Sequence, residues 1–118
     1  MAEKTGDKKL EVVRPFGDAE IEAHAAKVGG KRNLREVVVE TDDGYAFHYL
    51  VKKPSRSVIQ AVVQYEGKKD VTAQQKVMLG CVLEGDKEAY ENDGSIYGEL
   101  VGKIGELTRS AKADIKKI

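Results

Sequence analysis

Apolar residues recur along this chain with two periods, and the change falls at Lys53-Pro54-Ser55. Ahead of it, Val37, Val39, Tyr45, Phe47, Tyr49 and Val51 occupy alternate positions around a turn, the period of a strand with one buried face. Beyond it, Val58, Ile59, Val62 and Tyr65, and later Ile96, Leu100, Ile104 and Leu107, follow helical spacing. Pro54 biases Lys53 toward extended backbone and cannot donate to a sheet ladder. Ser55 offers a hydroxyl to the first N–H groups of the helix that follows.

In the first half, residues 10–13 (Leu-Glu-Val-Val) suit a short strand, and Pro15-Phe16-Gly17 is a turn signal. Asp18 is the expected N-cap of a helix running to about Val28. Glu20 and Glu22 near its start and Lys27 near its end complement the helix dipole. Ile21, His24 or Ala25, and Val28 share a face, and Gly29-Gly30 ends the helix. The hairpin register follows from which residues must share a face. A two-residue Asp43-Gly44 turn sets Phe47 opposite Glu40 and His48 opposite Val39. A three-residue loop over residues 42–44 sets Phe47 opposite Val39 and Tyr49 opposite Val37, gathering the apolar side chains. It also places Gly44 at the left-handed position of a bulge. The expected core face is therefore Val37, Val39, Tyr45, Phe47, Tyr49 and Val51, with His48 and Lys52 pointing away.

In the second half a helix is expected from Ser55 to about Glu66, then a loop at Gly67-Lys68-Lys69-Asp70. Thr72-Ala73-Gln74-Gln75 has the form of a capping box. The helix it opens carries Val77, Met78, Cys81 and Val82 and stops near Gly85, with Gly80 marking a close helix contact. Residues 86–94 read as an acidic, turn-rich loop. Asp93 or Ser95 then caps a last helix whose stripe runs Ile96, Leu100, Ile104, Leu107, Ala111, Ile115 and Ile118, flanked by Gly98, Gly102 and Gly105. The stripe suits an internal core. Alternatively, its outer half, residues 107–118, projects to meet a partner helix or a second copy.

At 118 residues the chain suits one domain, residues 10–118, behind a flexible polar segment over residues 1–9. Twenty basic and twenty acidic residues balance, which disfavours a dedicated nucleic-acid binder. One cysteine excludes an internal disulfide and a cysteine-based zinc site. No leader-like run and no membrane-length apolar run is present, so a cytoplasmic protein without membrane insertion is expected.

Chemistry-bearing residues are sparse. Cys81 on an apolar stripe reads as a small buried hydrophobe before it reads as a nucleophile. His24 and His48 have no HxH, HxxxH or HxxE spacing and read as packing or surface residues. Asp42-Asp43-Gly44 is explained by turn chemistry and lacks the calcium-loop ligand pattern. Val28-Gly29-Gly30-Lys31-Arg32 lacks phosphate-loop spacing, and Glu99 and Lys103 take the Gly98–Gly102 spacing out of a membrane context. No catalytic, metal or cofactor-binding residue is assigned.

Several segments in order resemble the small tail assembly chaperone-like proteins of phages and prophages. They are Lys27-Val28-Gly29-Gly30, the strand Glu36-Val37-Val38-Val39, and the aromatic strand Tyr45-Ala46-Phe47-His48-Tyr49 running into Lys53-Pro54-Ser55-Arg56. Val77-Met78-Leu79-Gly80-Cys81-Val82-Leu83-Glu84-Gly85-Asp86 and the closing Ala113-Asp114-Ile115-Lys116-Lys117-Ile118 complete the set. The likeness spans about residues 18–118. It implies a non-enzymatic role, binding a long helical tape-measure-like protein during tail assembly, and self-association as a homo-oligomer.

The expected fold is α+β: an N-terminal helix and a small antiparallel hairpin or sheet, which residues 10–13 can extend, followed by three C-terminal helices. The expected partner groove lies on those helices, lined by Val58, Val62, Leu100 and Ile104. The alternative function is a small nucleic-acid-binding regulator using Lys31, Arg32 and Arg35 or the basic C-terminal end, and an enzyme ranks behind both.

Overall fold

A computed structural model describes residues 9–118. Residues 1–8 lie outside the described residues, and with them all but Lys9 of the segment expected to be flexible. Among the described residues the fold is α+β, with five helices and a four-stranded sheet. In chain order the elements are β1 (Glu11–Val13), α1 (Asp18–Val28), β2 (Leu34–Glu40), β3 (Tyr45–Lys52), α2 (Arg56–Gly67), α3 (Val71–Leu79), β4 (Val82–Glu84), α4 (Lys87–Asn92) and α5 (Gly94–Leu107). A single 3-10 turn, Lys31–Asn33, joins α1 to β2.

Strand β3 is the centre of the sheet. β2 pairs with it antiparallel, Val39 opposite Phe47 and Val37 opposite Tyr49, the register expected of the three-residue loop. Gly44 in that loop has φ 97°, a left-handed conformation that glycine adopts without a Cβ clash. β2 lines one edge of β3, so β1 and β4 share the other. β4 runs antiparallel beside Leu50 and Val51. β1 runs parallel beside residues 45–47, a departure from the all-antiparallel sheet expected. The intervening α1 makes this possible, since a parallel neighbour needs a crossover connection and a tight turn cannot supply one.

Strand alternation sends side chains to two separate cores. On one face Val39, Tyr49 and Val51 meet Met78 and Leu79 of α3, Cys81, Val82, Tyr90 of α4, and Ile96, Leu100 and Ile104 of α5. Val37 and Phe47 pack against this cluster while only partly buried. On the other face Leu34 and Leu50 meet Phe16 and Ala25, with Ile21, Val28 and Leu83 around them. The sheet is thus covered on both sides, and α1 is the element that covers the second.

Four local expectations are corrected. The N-cap of α1 is Gly17, whose N–H donates to the Glu20 carboxylate at 2.6 Å, while Asp18 is the first helical residue. The N-cap of α3 is Asp70, which accepts from the Ala73 N–H at 3.1 Å, so Thr72 lies inside the helix and the capping box does not form. Helix α3 stops at Leu79 with Gly80 as its cap, so Cys81 and Val82 lie outside the helix, and Val82 opens β4. Within the stretch expected as loop, Asp86 caps the short helix α4, which buries Tyr90. The group after Pro54 therefore holds four helices and a strand where three helices were expected.

Other expectations stand. Ser55 caps α2 by accepting from the Val58 N–H, and Asp93 caps α5 through the Ser95 N–H at 2.9 Å. The stripe of α5 divides: Ile96, Leu100 and Ile104 are buried and Leu107 half-buried. The last helix was expected to carry its stripe on through Ala111 and Ile115 to Ile118, and this is corrected: it ends at Leu107, and residues 110–118 are exposed and without regular secondary structure.

Candidate functional site

Cys81 is fully buried in the main core, and burial pushes its thiol above the ordinary value. A thiol held in its neutral form by apolar surroundings is a poor nucleophile and a good packing group. The carbonyl of Cys81 accepts the Lys52 N–H at 2.9 Å, joining the start of β4 to the end of β3.

Both histidines sit in ion-pairing geometry between elements. His24 on α1 places Nε2 2.8 Å from the Glu84 carboxylate on β4, tying the covering helix to the sheet edge. His48 on β3 places Nδ1 2.6 Å from Glu36 on β2. The same Glu36 carboxylate accepts from Arg14 Nε at 2.8 Å and from its Nη2 at 3.1 Å. Arg14 also lies over the Phe16 ring, 4.5 Å from its centroid. This Arg14–Glu36–His48 cluster was not anticipated, although its signal was present. The register sets His48 opposite Val38, so Glu36 is its diagonal neighbour on the same face.

The Arg14 guanidinium, with help from His48 and against partial desolvation, holds the Glu36 carboxyl down at about 2. An ionised carboxylate this acidic is a weak base, and it faces two donors already bonded to it. The arrangement fastens the segment after β1 onto the sheet. Its contribution is present above the ordinary carboxylate pKa and is lost as pH falls through the folded value. Wild type and Glu36→Gln should therefore differ in stability near neutrality by about 1 kcal/mol, after allowing for solvent screening of a partly exposed pair. The gap should close between about pH 4.5 and 2 in urea titrations.

The four residues expected to line a partner groove part company. Leu100 and Ile104 are fully buried in the main core and face no groove, which corrects their assignment. Val58 and Val62 on α2 are half-buried and pack against that core. Val62 also borders an open groove of about 600 Å³ between the α2–α3 pair and α5, with Met78, Gly102 and Gly105 among its other walls. The exposed large apolar residues of α2 each adjoin one of these two: Val63 is 59% exposed and Ile59 37%, and Val71 at the start of α3 is 59%. Helix α2 contains no fully buried residue at all. The spacing placed Ile59 on the apolar face of this helix but could not say which residues of that face meet water.

Two of the basic residues considered for nucleic acid, Lys31 and Arg35, have partners within the chain. Lys31 pairs with Glu22, and the Arg35 guanidinium donates to the carbonyls of Arg32 and Leu34. The C-terminal basic residues do not form a helix. A cavity of about 460 Å³ beside Pro54 is lined by Lys27, Lys52 and Lys53 with Asn33 and Ser55. Among the described residues no three His, Cys, Asp or Glu side chains converge as a metal site, and no helix is long and apolar enough to cross a membrane.

No family model and no curated protein matches this chain. Among solved structures it is similar to an uncharacterised protein, rbstp2171, from Bacillus stearothermophilus, at 16% identity and a TM-score of 0.52. The match covers 81% of this chain and 98% of that one. The likeness is one of fold.

Proposed function

We propose that this protein is a non-enzymatic assembly chaperone or adaptor that binds an amphipathic helical segment of another protein. The partner is of the tape-measure-like type that the resemblance to phage and prophage tail assembly chaperones implies. The observation that carries this reading is the α2–α3 pair. Ile59 and Val63 lie one turn apart on α2 with their side chains open to water, and Val71 opens α3 just beyond the connecting loop. An apolar strip at this spacing, rimmed by Arg56, Glu66, Lys68 and Lys69, is the half-site of helix-against-helix recognition. The engagement of Cys81 in the core and of both histidines with carboxylates supports a binding role over a catalytic one.

Co-expression with a long tape-measure-type helical protein should yield a co-purifying complex and raise that partner's soluble fraction. The double variant Ile59→Asp with Val63→Asp should weaken binding at least about tenfold, since it removes the apolar centre of the contact. Its thermal unfolding should stay close to wild type, because neither side chain is buried. Failure to co-purify together with no gain in partner solubility overturns the proposal. A salt-dependent shift of RNA or DNA mobility by the protein alone would favour the nucleic-acid alternative instead.

A further inference from the structure

Lys53-Pro54-Ser55, where the strand pattern gives way to the helical one, closes one side of the cavity of about 460 Å³. Lys27 and Val28 at the end of α1 and Asn33 of the 3-10 turn line the rest, together with Lys52. Hydrogen bonds join these segments, which are distant in sequence. The Lys53 N–H donates to the Asn33 carbonyl at 2.8 Å, and the Lys52 N–H to the Cys81 carbonyl at 2.9 Å. The Asn33 side-chain amide donates to the Val28 carbonyl at 2.7 Å and ties the turn to the end of α1. The cavity is therefore formed by the fold itself, which spares a ligand the cost of ordering it.

The charge of the lining is one-sided. Three lysines line the cavity and no acidic residue does. Among the described residues, no carboxylate stands at ion-pairing distance from Lys27, Lys52 or Lys53. Lys52 and Lys53 are nonetheless half-buried. Elsewhere in the molecule cations find partners: Arg14 meets Glu36, Lys31 meets Glu22 and Lys103 meets Glu106. A group of half-buried ammonium side chains without counter-charge favours an anion drawn from solution. Asn33 keeps a second amide N–H, and Ser55 carries a hydroxyl, so neutral donors line the cavity as well.

Shape and charge together select the anion. The volume falls in the range of small-molecule sites, about 300–1,000 Å³. The lining is local, whereas a nucleic-acid strand needs a basic track along its backbone. A phosphate monoester brings about two negative charges, fewer than the lysines present; a diphosphate brings more and reaches further across the cavity. Val28 and Pro54 leave an apolar wall for a small organic body.

We propose that this cavity binds a diphosphate group, either inorganic pyrophosphate or the diphosphate of a small organic ligand. Lys27, Lys52 and Lys53 neutralise it, and Asn33 and Ser55 donate to its oxygens. The site shares no residue with the Ile59–Val63 strip and stands or falls separately from it.

The full chain, titrated with pyrophosphate and separately with ADP, should show one saturable site with a Kd below about 1 mM. The titration belongs in about 0.15 M salt without divalent cations, where diffuse attraction between exposed charges is screened. Tighter binding of ADP assigns the site to an organic diphosphate, and tighter binding of pyrophosphate to the inorganic ion. Lys27→Gln with Lys53→Gln should weaken binding at least about tenfold, through lost charge-assisted hydrogen bonds. Neither lysine is buried, so thermal unfolding without ligand should stay close to wild type. Lys116→Gln with Lys117→Gln makes the same change in net charge on the exposed C-terminal segment and should leave binding unchanged. In wild type, the amide NMR signals of Val28, Asn33, Lys53 and Ser55 should move on titration. Absence of saturable binding of both probes overturns the proposal. So does equal weakening by the two pairs of substitutions, or signal movement confined to residues outside the cavity.

Discussion

Gly85→Ala should lower the unfolding free energy by about 3–5 kcal/mol, combining backbone strain with overpacking. Gly85 has φ 132°, a conformation that side chains with a Cβ rarely adopt. A Cβ there would also overlap the Tyr49 ring and stand 2.9 Å from the His48 carbonyl oxygen. Neither neighbour can give way cheaply. His48 belongs to the central strand, with β2 along one edge. Tyr49 is fully buried, donates its hydroxyl proton to the Asp86 carbonyl at 2.7 Å and packs 5.9 Å from the Tyr90 ring. Burial pushes its phenol well above the ordinary value, so it remains a donor through the alkaline range. Urea unfolding followed by circular dichroism measures the loss. The melting temperature should fall on the order of 10 °C or more. A loss under about 1 kcal/mol would mean that the turn after β4 relaxes away from Tyr49, against the rigid packing argued here.

Leu100→Ala should cost about 2–5 kcal/mol, the range for a leucine truncated in a packed core with partial relaxation around the cavity. Leu100 lies on the buried stripe of α5 with no exposed surface, in the cluster that contains Tyr49, Val51 and Cys81. This outcome separates two roles. A groove residue that meets only a partner would leave stability within about 0.5 kcal/mol on truncation while weakening binding. Leu100→Ala should do the reverse at temperatures where the variant is still folded. A stability change under about 0.5 kcal/mol in denaturant titration would restore Leu100 to the surface and reopen its assignment to a partner groove.

The hairpin shows which parts of this fold could be read from residue order. Its register is a matter of parity: a slip of one residue would put Val37 and Val39 on the opposite face from Phe47 and Tyr49, and Gly44 supplies the turn geometry. The caps at Ser55 and Asp93 and the buried stripe of α5 are equally local. The second core was harder to see. Leu34 and Leu50 are out of phase with the hairpin's main face, and they become core only because α1 crosses that side with Ala25, Ile21 and Val28. The amphipathic pattern of α1 was visible, but nothing local said that its target was the back of the sheet.

Strand β4 is hidden in the residue order for a comparable reason. Cys81 and Val82 keep helical spacing with Val77 and Met78, and a short apolar run has no period of its own. Open hydrogen-bonding positions on β3 beside Leu50 and Val51, created by chain segments far away in sequence, decide in favour of a strand. Helix α4 has only six residues, too few for a period to show, and its anchor is one buried tyrosine.

The candidate interface was legible as a face of α2, from Val58 through Val62, and only to within a small rotation about the helix. Periodicity finds apolar residues that want cover; it does not distinguish those covered by the protein's own core from those left for a partner. Leu100 and Ile104 are covered by the core, whereas Ile59 and Val63 are exposed. The sequence by itself determined the α+β class, the hairpin and its register, most helix positions and the scarcity of reactive groups, because each depends on neighbours within a turn or two. Only the tertiary structure decided the parallel placement of β1, the strand at Val82, the two-sided sheet and the exposure of α2. Each of these depends on which distant surface arrives first at an unfilled edge or face, and that is a property of the whole packed chain.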